Sequence, residues 1–98
     1  MTKSVIKASI DETMEHIHVL MLVNPNEKEA LQKFNISCRA MLSSLDYTDP
    51  ESVGMTLEAL RNYIKSKLME GHENKGYNEL ILNDVEKNLD FYKRNLGY

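Results

Sequence analysis

Apolar residues recur every third or fourth position through four consecutive stretches separated by short polar turns, a pattern that leaves room for little except amphipathic helices. In the first stretch Ile6, Ile10, Met14, Ile17 and Met21 share one stripe. Leu31, Phe34, Cys38, Met41 and Leu45 form the second, Val53, Leu57, Leu60, Ile64 and Leu68 the third, and Ile81, Val85, Leu89, Tyr92 and Leu96 the fourth. A half-buried strand would alternate with period two, and no segment does so.

The turns set the boundaries. Asn24-Pro25-Asn26 ends the first helix near Val23, because a residue before proline is pushed out of the helical region, and Asn26 is placed to cap the second helix. Asp46 to Glu51 is the clearest punctuation: Thr48 or Asp49 can accept bonds from free backbone amides, and Pro50 suits the first helical position. Gly71 is placed to close the third helix in the left-handed conformation, and Asn78, after a polar loop, to cap the fourth. The predicted helices are about 4–23, 27–45, 50–70 and 78–96. Helices of roughly 20 residues are about 30 Å long, and linkers this short turn each helix back along its predecessor. The expected fold is therefore one all-α domain over residues 1–98, an antiparallel up-down four-helix bundle.

At 98 residues the chain lies near the lower size at which one hydrophobic core suffices without disulfides or metals. Twelve Lys and Arg against fifteen Asp and Glu give a net charge of −3, and no basic cluster denser than Arg61, Lys65 and Lys67 occurs, so a nucleic-acid partner is not expected. The single cysteine, Cys38, sits at a core-type position, as a reducing cytosol permits. The longest apolar run, Val19 to Val23, is too short to cross a bilayer, and Met1-Thr2-Lys3-Ser4 leads into no signal-peptide core. The expectation is a cytoplasmic protein with no membrane partner.

Few residues suggest chemistry. Glu15 and His18 form a Glu-x-x-His pair of the kind used in helical di-iron bundles, but a second such pair and two further inward glutamates are missing. A metal-dependent enzyme on Glu12, Glu15, His16 and His18 is the one enzymatic alternative. A cysteine nucleophile must be a partly exposed thiolate beside a base, whereas Cys38 lies on a core stripe. Gly71 to Gly76 lacks the Lys-Ser or Lys-Thr of a phosphate cradle, and carboxylates interleave with lysines as on solvated faces. No catalytic, cofactor-binding or metal residue is assigned.

Val19, Leu22, Ile36, Met55, Met69, Leu80 and Phe91 fall beside or opposite their helix's main stripe. A wide core, a homodimer interface or a groove for another protein's helix could take them. Six methionines suit the last, because flexible thioethers adapt to a partner.

Met41-Leu42-Ser43-Ser44-Leu45-Asp46-Tyr47 is a helix end running into a Ser-Ser-Leu-Asp-aromatic turn, Leu57, Leu60, Tyr63, Leu68 and Glu70 mark the following helix, and Asn83 to Tyr92 is an acidic, leucine-spaced last helix. In these features, from Ala30 to Glu70 and again in the last helix, the chain resembles the flagellin export chaperone family. The resemblance covers roughly half the chain. It implies a small cytoplasmic helical protein of the flagellum system that holds flagellin, or a similar amphipathic segment, before export. Leu31, Ile36, Met55 and Met69 are the candidate groove contacts. A small immunity, antitoxin or phage-derived inhibitor protein is the alternative within the same class.

Overall fold

In a computed structural model, which describes residues 2–96, four α-helices account for most of the chain and no strand occurs among the described residues. They are α1 (Thr2–Val23), α2 (Lys28–Ser43), α3 (Pro50–Lys67) and α4 (Lys75–Leu96), with short 3-10 turns at Pro25–Glu27 and Leu45–Tyr47. The long dimension of 40 Å is little more than the ~33 Å of a 22-residue helix.

Local sequence explains most boundaries. α1 stops at Val23, where Asn24 leaves the helix ahead of Pro25. Asp49 caps α3, its carboxylate accepting from the amide of Glu51 at 3.1 Å, and Pro50 holds the first position. Thr48, the other candidate cap, instead donates its hydroxyl to the carbonyls of Met41 and Ser44, both 2.9 Å away, and so seals the end of α2. Beyond α3 the chain turns through Gly71, whose φ of +77° is the left-handed conformation expected of it.

Two expected caps are corrected. Asn26 lies inside the 3-10 turn, and α2 starts after Glu27 without a side-chain cap. Asn78 lies inside α4, which begins at Lys75, and its side chain points into the core.

α1 packs on α2 and α4, and α3 packs on α4 and, less extensively, on α2. Val53, Leu57, Leu60 and Ile64 of α3 and Leu68 just beyond it are fully buried, as are Ile10, Ile17, Leu31, Cys38 and Tyr92, with Ile6, Val85 and Leu89 nearly so. Met14, Met21, Phe34, Met41 and Leu45 are half-buried against them. Leu96 lies outside the residues whose side chains are described. Two polar contacts sit within this core. Thr13 donates to the carbonyl of Ser9 at 2.7 Å and accepts from the Asn88 amide of α4 at 3.1 Å. Asn24 and Asn78 form a reciprocal amide pair at 2.8 and 3.0 Å. Tyr92 donates to the carbonyl of Pro50 at 2.5 Å, and Lys93 pairs with Glu58 at 2.6 Å, tying the latter half of α4 to α3.

Candidate functional site

The four residues singled out as groove contacts do not form one surface. Leu31 is fully buried among the core side chains, which removes it as a contact: its place on the α2 stripe decides its fate. Ile36 and Met55 are exposed, on α2 and α3 respectively, and Met69 is half-buried against the core. Ile36 borders a broad open depression with Pro25, Lys28, Glu29, Gln32 and Lys33, whereas Met69 lines a separate one between α3 and α4 with Lys65 and Leu82. Of the seven residues left over by the stripes, all but Met69 are exposed, and Tyr47 and Tyr77 join them.

The histidines of α1 diverge. Glu15 and His18 point to solvent, while His16 is largely covered and its Nε2 stands 3.7 Å from Glu12 Oε1, beyond hydrogen-bond range. Among the described residues no three His, Cys, Asp or Glu side chains are placed to hold a metal ion. Burial pushes the Cys38 thiol up to about 11, so at neutral pH it is a protonated, inert core side chain.

One polar cluster escaped the sequence reading. In the loop after α3, His72 Nδ1 accepts the backbone N–H of Asn74 at 3.0 Å, which places the ring proton on Nε2, and Nε2 donates to Glu27 Oε1 2.8 Å away. Asn74 in turn donates to the carbonyl of Val23 at 3.0 Å. Nearby, Asn24 donates to the Leu20 carbonyl and Asn78 to the Leu68 carbonyl, each at 2.9 Å, so the amide pair also satisfies two helix-end acceptors. Tyr63, stacked at a tilt on Phe34, has its hydroxyl pushed up by burial and by the Glu27 carboxylate. A carboxylate beside an imidazole suggests a general base, but a base needs a lone pair facing a substrate, and the Asn74 amide occupies it here. The cluster is a clamp that fastens the α3–α4 loop to the end of α1. Its only local signal is the His-x-Asn spacing, since Glu27 is 45 residues from His72.

The residues that carry the family resemblance build scaffold. Leu57, Leu60 and Leu68 are buried, Tyr63 packs on Phe34, and Met41 to Tyr47 form the end of α2 and its 3-10 turn. No described helix is long and apolar enough to cross a membrane. Comparisons with protein-family models, with curated proteins and with solved structures return no match to this chain.

Proposed function

We propose that the protein is a non-enzymatic binding module, an antiparallel up-down bundle whose outer faces hold an amphipathic segment of another protein. Five pairings support the topology: Thr13 with Asn88 and Asn24 with Asn78 run in opposite order along α1 and α4, as do Leu68 with Asn78 and Glu58 with Lys93 along α3 and α4, and Lys3 at the start of α1 pairs with Asp46 after α2.

The observation that carries the function is Ile36, 57% exposed at the edge of a broad depression on α2; among the described residues it is one of eight large apolar side chains between 44% and 91% exposed. For the partner segment we favour the depression beside Ile36. Lys28 and Lys33 line it with Glu29, and two ammonium groups against one carboxylate leave a rim of net positive charge that favours an acidic flank on the incoming helix. Flagellin, the ligand implied by the resemblance, is the first partner to test.

Calorimetric titration with the C-terminal segment of flagellin from the source organism tests the reading. Saturable binding with a negative heat-capacity change is expected, weakened about ten- to hundredfold by Ile36→Asp. A folded wild-type protein that gives no binding heat refutes flagellin as the ligand. Undiminished binding by the Ile36→Asp protein refutes the α2 face.

A further inference from the structure

The outer face of α4 carries a second pattern, independent of its core stripe. Tyr77, Leu80, Asp84, Lys87, Phe91 and Arg94 follow one another at spacings of three, four, three, four and three, the a/d repeat of a coiled-coil seam. All six are exposed, with Tyr77 at 67%, Leu80 at 64% and Phe91 at 52%. Among the described residues no ion pair engages Asp84, Lys87 or Arg94. Three of its six positions are apolar and three are charged, so a helix docking here meets both apolar and ionic layers.

The order of residues in the seam states which helix fits. When a second α4 is laid antiparallel about a two-fold axis between Asp84 and Lys87, an a position meets a d position in every layer. Asp84 then faces Lys87 of the other copy and Lys87 faces its Asp84. Leu80 faces Phe91 on both sides of this centre, and Tyr77 meets Arg94, a cation over an aromatic ring. Every layer is chemically matched and none sets like charges opposite one another. Parallel pairing would instead put Asp84 against Asp84 and Lys87 against Lys87.

The neighbouring surface agrees. A depression between α1 and α4, lined by Glu12, Lys87, Asn88, Phe91 and Arg94, lies where the other copy's Leu80 would seat. Glu73 borders Tyr77 and Leu80 at the far end, where the other copy's Arg94 arrives. Val19 of α1 shares a helix face with Glu12, at a spacing of seven, and adds an exposed apolar side chain to the same flank.

We propose that α4 is the interface of a two-fold symmetric homodimer, closed by the Leu80–Phe91 layers and set in register by reciprocal Asp84–Lys87 pairs. A symmetric contact of this kind is isologous, so one patch serves both partners and the assembly stops at two. The interface lies on α4, apart from the α2 face assigned to the partner segment, and its test does not depend on that segment.

Sedimentation equilibrium of the full chain over a concentration series decides the matter, with circular dichroism as the folding control. The wild type is expected to approach twice its 11.3 kDa mass. Asp84→Lys and Lys87→Asp, each placing two like-charged pairs at the centre, are expected to sediment at the single mass. An equimolar mixture of these two proteins, and the chain carrying both substitutions, are each expected to return to the double mass, which unfolding cannot mimic. A wild type that stays monomeric up to roughly millimolar concentration overturns the proposal and leaves the seam to the helix of a different protein. Single variants that remain dimeric, or folded variants that fail to recombine on mixing, overturn it equally.

Discussion

Replacing Asn78 with alanine tests whether the buried amide pair holds the molecule together. In the folded protein the Asn78 side chain accepts from Asn24 Nδ2 at 2.8 Å and donates both to Asn24 Oδ1 at 3.0 Å and to the Leu68 carbonyl at 2.9 Å. Truncation leaves Asn24 Oδ1 and the Leu68 carbonyl without these donors, while Asn24 Nδ2 keeps the Leu20 carbonyl. Asn78 is 0% and Asn24 1% exposed, so water does not replace the lost partners without opening the site. Two stranded acceptors at about 1–3 kcal/mol each give an expected loss of about 2–6 kcal/mol, a substantial part of the ~5–15 kcal/mol that holds a domain of this size. Urea melts followed by circular dichroism measure it, and a double-mutant cycle with Asn24→Ala isolates the pair. Because the second truncation removes a group already stranded by the first, the double variant should lose about 1–2 kcal/mol less than the sum of the single losses. A cost for Asn78→Ala below about 1 kcal/mol, or strict additivity in the cycle, refutes the assignment of stability to this pair.

The two described loop-end glycines should respond with opposite signs. Gly71→Ala costs about 1–2 kcal/mol through its φ of +77° alone, since a Cβ there meets nothing within 4 Å, whereas Gly76→Ala, inside α4 and equally open, gains about 0.5–1 kcal/mol; thermal melts of both that shift the same way contradict this. Cys38 gives a pH dependence whose sign follows from its thiol, raised by burial from 9.0 to about 11: the folded form holds the proton longer, so its contribution is complete below pH 9 and lost as pH rises through 11. The loss should be on the order of 2–3 kcal/mol, read as a falling urea midpoint that is flatter across that window in Cys38→Ala; equal slopes in the two proteins contradict it.

What the sequence disclosed is what local patterning can encode. The period of the apolar residues located the helices and most of the core, Leu20 and Leu82 being buried off the stripes, while Val19, Leu22, Ile36, Met55, Leu80 and Phe91 are left in solvent with Tyr47 and Tyr77. Met69 departs because the chain turns after Lys67, so it no longer follows the outward direction that a continued α3 would have given it. An asparagine after a polar loop has the local look of a cap, and Asn78 carries that signal although it sits inside α4. Its fate was decided by Asn24, 54 residues away, and by the Leu68 carbonyl. The Glu27–His72 contact was hidden for the same reason. Leu31 shows the converse, since its stripe position alone marks it as core and so as unavailable to a ligand. The α4 seam is written in the sequence at coiled-coil spacing, but it becomes legible only when the core stripe has been assigned and the helix is known to carry a second, outward one.

The placement of α4 has a consequence for how the chain acquires its structure during synthesis. α1, α2 and α3 leave the ribosome before α4, yet the partners of Thr13 and Asn24 in α1 lie on α4, 75 and 54 residues later in the chain. Until those residues emerge, a nascent three-helix intermediate lacks the amides that satisfy the inner face of α1 and the apolar wall supplied by Ile81, Val85 and Leu89. Closure of the longest-range contacts therefore comes last, and until α4 is in place the apolar inner face of α1 stays open to water and to other chains.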